Sequence, residues 1–251
     1  ASYNTAVGRS ALRLNTTGTP NDAFGYAALY SNTTGTSNVA VGYQSLYANT
    51  AGTYNVSIGT SSLVANVNGS FNVAIGYNSL GSNTANSGST AVGHAALQLT
   101  TAGNNSAFGY LALQNNTSGT PNDAFGYYSL NKNTTGTQNV AVGYQSLQAN
   151  TTGGANTAVG SQAMYSNTSG QNNTCFGFYV MNANTTGGYN TAIGDRALAL
   201  NTVSQNTAVG ASALRNNSTG TPNDAFGYNA LFNNTTGNAN VAVGWQSLYA
   251  N

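Results

Sequence analysis

The chain has 251 residues and carries five Lys or Arg, four Asp or Glu and a net charge of +1, so only 4% of it is charged, against roughly 25% in an ordinary soluble domain. Such a chain has no basic field to attract nucleic acid or anionic lipid, and no stretch approaches the ~18 consecutive apolar residues of a membrane helix. With one His, one Cys and four acids, there is almost nothing from which to build a catalytic centre, a metal site or a cofactor site, and none is expected. At 40% hydrophobic the chain can nevertheless bury a core, so low charge does not imply disorder.

The first predicted element is a strand at NTAVG, residues 4–8. Its pattern, N-x-A-V/I/F-G, recurs along the whole chain with glycines at Gly8, Gly25, Gly42, Gly59, Gly76, Gly93, Gly109, Gly126, Gly143, Gly160, Gly177, Gly194, Gly210, Gly227 and Gly244. The spacing is 17 residues, with gaps of 16 after Gly93 and after Gly194. A longer period lies on top of it. TPNDAFGY stands at 19–26, 120–127 and 221–228, and NVAVGYQSL at 38–46 returns at 139–147 and, as NVAVGWQSL, at 240–248. Six coils therefore form a 101-residue super-repeat: 1–101, 102–202 and a partial 203–251. The expectation is one continuous domain of about fifteen coils over 1–251, a window of a longer repetitive chain, since Ala1 and Asn251 both fall part-way through a coil.

Seventeen residues are too few for a helical hairpin repeat, and Gly, Asn and Thr disfavour helix in any case. The period suits an all-β, parallel β-solenoid. In chain order, each coil would hold a strand at N-x-A-V/I/F-G, a turn at G-Y-Q, a second strand around A/S-L, and a turn at N-T-T-G, where Gly supplies φ > 0 and Asn tolerates the left-handed region.

Stacked coils bring equal positions into columns. The motif Asn (Asn21, Asn38, Asn122, Asn139 and Asn223 among them) is Asn in fourteen of fifteen copies, with Ser89 the exception, and the Asn before T-T-G (Asn32, Asn49, Asn133, Asn150) is Asn in fourteen, with Thr100 the exception. These columns read as amide ladders running from coil to coil, because a turn preference alone would admit Asp and Gly. The Ala column (Ala23, Ala40, Ala124, Ala141) departs only at Ser57 and Cys175, and the Leu column (Leu29, Leu46, Leu130, Leu147) only at Met164 and Met181. Small opposite large fills a narrow core without voids, so both are placed inside. The residue after Ala is always Val, Ile or Phe (Phe24, Val41, Phe108, Phe125, Val142, Phe176, Phe226). Neighbours on a strand face opposite ways, so this strand is apolar on both faces. A doubly apolar sheet is normally covered twice, and the second cover is expected to be another copy of the chain.

The remaining chemistry is sparse. His94 stands in a column held mainly by aromatics, including Tyr26, Tyr43, Tyr77, Tyr110 and Tyr144, and reads as a stacking residue. Cys175, in the Ala column, reads as a small buried side chain. Asp22, Asp123 and Asp224 recur only once per super-repeat, beside Pro20, Pro121 and Pro222, and mark a variant turn rather than a calcium site. Arg13 could pair with Asp22, as Arg215 could with Asp224. Thr follows the second Asn in most coils, so an ice-binding array is a minor alternative. Tyr30, Tyr47, Tyr165 and Phe232 are candidate exposed contacts for a glycan or a surface.

The motif, as in NVAIG at 72–76 and NTAVG at 4–8, resembles the head repeat of YadA-like trimeric autotransporter adhesins, and similar repeats occur in phage tail-fibre-like and other bacterial surface proteins. The resemblance implies a left-handed parallel β-roll, usually trimeric, exported and displayed at the cell surface or outside it as an extended fibre. The chain departs from that pattern in its longer coils and N-T-T-G turn, and the segment shows no neck, stalk or anchor. The expectation is an extracellular structural fibre of laterally associated solenoids, three by the resemblance, with a pair of filaments left open. The alternative is an adhesin head or tail-fibre-like module that binds a glycan or a surface.

Overall fold

The computed structural model describes residues 2–251. Among them there is no helix, and each copy of the motif forms one strand of three or four residues. Two compact units divide the chain, one ending at Asn122 and one spanning Asp123–Asn251. The first holds β1 (Thr5–Val7), β2 (Asn21–Phe24), β3 (Asn38–Val41), β4 (Val56–Ile58), β5 (Val73–Ile75), β6 (Thr90–Val92) and β7 (Asn105–Phe108). At the division lies β8 (Asn122–Phe125). The second unit holds β9 (Asn139–Val142), β10 (Thr157–Val159), β11 (Thr174–Phe176), β12 (Thr191–Ile193), β13 (Asn206–Val209), β14 (Asn223–Phe226) and β15 (Asn240–Val243). From β1 to β7, and again from β9 to β15, each strand pairs in parallel with its neighbours in sequence. The fold is an all-β, parallel β-solenoid of 17-residue coils.

Register follows the motif: Asn21 faces Asn38, Ala23 faces Ala40 and Phe24 faces Val41. It survives the two 16-residue coils, where Thr90 still faces Ser106 and Thr191 faces Thr207. The missing residue comes out of the N-T-T-G turn, which leaves five residues from Thr100 to Asn105 and from Asn201 to Asn206, against six from Asn15 to Asn21. A slip within the strand would have moved every Ala to the outer face, so the turn absorbs the deletion.

Within β3, Asn38 and Ala40 are buried while Val39 and Val41 are half-buried, the period-two pattern of a strand with one inner face. The strand ends at Gly42, whose φ is +134°. A Cβ there would sit 2.6 Å from the Gly59 carbonyl oxygen of the next coil, so only Gly allows the coils to approach this closely.

The second half of the coil differs from expectation. The A/S-L segment is not a strand but a run of turns. Alternate residues are left-handed, with φ of 52° at Gln44 and 53° at Leu46. The segment is still bonded coil to coil. Gln44 N donates to Tyr26 O at 2.9 Å, and Leu46 N to Ser62 O at 3.0 Å. A left-handed residue other than Gly is strained by roughly 1–2 kcal/mol; the inter-coil bonds and the burial of Leu46 offset this. The N-T-T-G turn also differs. Its ladder Asn is not left-handed; the left-handed residue stands just before the motif Asn, as at Ser37 (φ 57°) and Tyr54 (φ 57°). In the T-P-N-D coils the Thr–Pro peptide is cis at Pro20, Pro121 and Pro222.

Ala23, Ala40, Ala124 and Ala141, with Leu29, Leu46, Leu130 and Leu147, are fully buried and form the core. The column exceptions are accommodated locally. The Ser57 hydroxyl donates to Ser62 O at 2.9 Å, so its extra polar atom is satisfied. Cys175 and Met181, one exception from each column, lie in one coil with Sγ and Sδ 3.1 Å apart.

Candidate functional site: inner ladders and outer columns

The motif Asn column is a ladder. Asn38 N and Asn38 Nδ2 both donate to Asn21 Oδ1, at 3.0 and 3.1 Å, and Asn55 repeats both bonds onto Asn38. In the second unit Asn156 does the same onto Asn139, and Asn240 onto Asn223; Asn122 N donates to Asn105 Oδ1 at 2.9 Å. The turn Asn column is a second ladder, in which Asn49 Nδ2 donates to Asn32 Oδ1 at 2.9 Å and Asn150 Nδ2 to Asn133 Oδ1 at 2.8 Å. All these amides are buried except Asn240, at the last strand. At Asn32 and Asn49 both amide hydrogens are committed, the second to Gly35 O and Gly52 O, so these N-x-T/S triplets present no free acceptor amide.

The turn ladder is interrupted where a turn is short. Thr100 takes the Asn position, and Asn83 Oδ1 accepts from Asn86 N instead. At the second short turn Asn201 Nδ2 donates to Val203 O at 2.7 Å, and the buried Asn184 Oδ1 is left without a partner. Removing one residue pulls the turn amide out of line with the coil before it.

On the outer face the Val/Ile/Phe column stands beside the buried Ala column. Phe24 is 40% exposed, Phe108 37%, Phe125 38%, Phe176 41% and Phe226 40%, while Val41 and Val142 are half-buried. Two further columns carry aromatics. Tyr26 and Tyr43 stack with centroids 5.2 Å apart, and Tyr30 and Tyr47 at 5.1 Å. His94 lies between Tyr77 and Tyr110 at 5.2 and 5.1 Å. Within each such stack a ring face meets a ring face, and the ring edges and hydroxyls point outward. Tyr30, Tyr47, Tyr165 and Phe232 are half-buried, less open than expected for contacts with a ligand.

Arg9, Arg13 and Arg215 go to these columns and not to the acids. Arg13 Nη1 donates to Tyr30 Oη at 3.3 Å, and its guanidinium lies 5.7 Å from that ring's centroid. Arg9 lies 6.0 Å from Tyr26, and Arg215 5.6 Å from Phe232. The pairing of Arg13 with Asp22 and of Arg215 with Asp224, which the sequence allows, does not form; among the described residues the ion pair is Arg196–Asp195 at 3.0 Å. The missed signal was positional: Arg9 and Arg13 stand 17 residues before Tyr26 and Tyr30 and so enter the aromatic columns, where a cation over a ring face is favourable.

The hydroxyl of the Thr after the ladder Asn bonds the next coil. Thr16 Oγ1 donates to Thr33 O at 2.8 Å and Thr151 Oγ1 to Thr168 O at 3.0 Å. Burial pushes the Cys175 thiol well above its usual range, which suppresses the nucleophilic thiolate. Among the described residues no three His, Cys, Asp or Glu side chains gather as metal ligands, and no helix is long and apolar enough to cross a membrane. Comparison of the chain with protein-family models, curated proteins and solved structures finds no match.

Proposed function

We propose that the chain is a segment of an extracellular structural fibre, an appendage, matrix or adhesive shaft, in which parallel solenoids pack side by side along the Val/Ile/Phe stripe. Three solenoids are favoured by the resemblance to trimeric adhesin heads, and a pair is the other packing. No catalysis or cofactor is part of this reading. One observation carries it: from β2 to β15 the Ala position of each strand is buried in its own coil, while the residue that follows it is always Val, Ile or Phe and stays about 40% exposed at Phe24, Phe176 and Phe226. If each such residue hides roughly 60 Å² on association, it contributes on the order of 1.5 kcal/mol before ordering costs. A contiguous apolar stripe of this kind exceeds what monomers usually expose, and nine charges provide little repulsion.

Light scattering at micromolar concentration tests it. The wild type is expected to be oligomeric, and Phe125→Lys with Phe176→Lys to shift it toward monomer while the β circular dichroism persists. A stable wild-type monomer overturns the reading.

The second reading, an adhesin head or tail-fibre-like module, is favoured by the outward rows of Tyr edges at Tyr26, Tyr43 and Tyr144, all exposed. The ice-binding alternative is disfavoured because the first Thr hydroxyl of the pair is spent on the next coil's carbonyl, which breaks up a regular hydroxyl array.

A further inference from the structure

We propose that the groove between the two outer aromatic columns, at its Arg9–Arg13 end, binds a carboxylate-bearing saccharide. The columns leave the same G-Y-Q…L segment four residues apart, so they run as parallel walls. Tyr26 and Tyr43 stack in one wall, Tyr30 and Tyr47 in the other. Ser10, Ala27 and Gln44 form the floor of a recess of about 210 Å³, with Arg9 and Arg13 at one end.

Charge selects an anion. Each guanidinium lies over a ring of the next coil, at 6.0 Å from Tyr26 and 5.7 Å from Tyr30, which holds it in place. Neither forms an ion pair with a carboxylate among the described residues. Two like charges on one turn repel unless an anion enters between them. Two planar forks suit a carboxylate better than a point charge would.

The rest of the recess selects a sugar. At Tyr26 and Tyr30 one ring face meets the next ring and the other lies under a guanidinium, so an apolar or flat aromatic ligand finds no platform at that end. The lining offers Tyr hydroxyls, the Ser10 hydroxyl and the Gln44 amide, which match a ligand rich in hydroxyls. At about 210 Å³ the recess is smaller than the roughly 300–1,000 Å³ of a drug-sized ligand site and takes a single sugar ring with its carboxylate, the rest of a chain lying outside it. The arrangement recurs in the second unit, where Arg215 lies 5.6 Å from Phe232 beside the Tyr228–Trp245 and Phe232–Tyr249 stacks. Ala211 stands there in place of Arg9, which makes it a one-cation version.

The test is calorimetric titration of the whole chain with tetragalacturonate, with maltotetraose as the neutral analogue and inorganic phosphate as the bare anion. The wild type is expected to bind tetragalacturonate at least about tenfold more tightly than either comparator, a difference of ~1.4 kcal/mol. Arg9→Gln with Arg13→Gln should weaken it by at least that factor, and Arg13→Lys, which keeps the charge but loses the fork, by less. Lys132→Gln, exposed and outside the columns that form the groove, should leave it unchanged. Arg9 and Arg13 are exposed, so an unchanged melting curve certifies the fold of the double variant. Equal binding of maltotetraose or phosphate, no binding of tetragalacturonate at millimolar concentration, or full binding by a folded double variant each overturns the proposal.

Discussion

Asn21 and Asn32, eleven residues apart in the chain, donate their side-chain amides to one acceptor, the Gly35 carbonyl, at 2.9 and 3.0 Å. The two ladders are therefore cross-linked within the coil, as Asn38 and Asn49 show again at Gly52 O, except just after the short turns, where Asn105 and Asn206 donate locally instead. Each bond contributes roughly 1 kcal/mol net, whereas stranding its partners costs about 1–3 kcal/mol for each buried group.

Removing one rung follows directly. Asn139 donates to Gly153 O at 2.9 Å and accepts from Asn156 N and Nδ2 at 3.1 and 3.2 Å. Asn139→Ala is expected to cost about 2 kcal/mol or more. Gln138→Ala, one residue earlier and exposed, should cost under ~0.5 kcal/mol, because Ala155 and Ala239 already hold the same left-handed position at φ 54° and 56°. Denaturant titration of both variants decides; equal effects would reduce the Asn columns to a turn preference.

The glycine column is expected to be intolerant. Gly42→Ala adds a Cβ at 2.6 Å from the Gly59 carbonyl in a backbone conformation of φ +134°. The conformation alone costs about 1–3 kcal/mol, and the coils must also part. A melting curve indistinguishable from wild type would show that the stack yields easily.

Core variants probe the inner assignment. Leu130→Asp places an unpaired carboxyl in a fully buried position, and Ala124→Leu overpacks one, typically by 1–3 kcal/mol. Because solenoid coils are stabilised by their neighbours, hydrogen exchange should rise around the altered coil first. Wild-type exchange and melting in both variants would place these columns outside the core.

The Cys175 thiol supplies a pH test. Burial raises its folded-state pKa, while the unfolded thiol titrates near ~8.5. The protonated thiol is favoured by folding, so the contribution is fully present below that pH. It is lost as pH rises further and the unfolded chain alone ionises. Cys175→Ala should flatten the alkaline decline in stability, and the native thiol should resist a disulfide reagent until denaturant is added. Rapid labelling of the native chain would contradict its burial.

Much of this molecule is legible in its sequence because strict periodicity forces equal positions into register. The 17-residue spacing of the motif glycines, the restriction of one column to Ala and of its neighbour to Val, Ile or Phe, and the two Asn columns dictate a parallel solenoid, its inner and outer faces and its amide ladders. They do so through strand alternation and the exclusion of large side chains, which are local rules. The tertiary structure alone decided the form of the A/S-L segment. The left-handed backbone at Gln44 and Leu46 is strained by itself and exists because the adjoining coils bond to it. It also decided that Asn21 and Asn32 share the Gly35 carbonyl, and that Arg13 turns to Tyr30 instead of Asp22. These outcomes depend on which groups the stacking brings within bonding distance, and composition and period do not carry that distance.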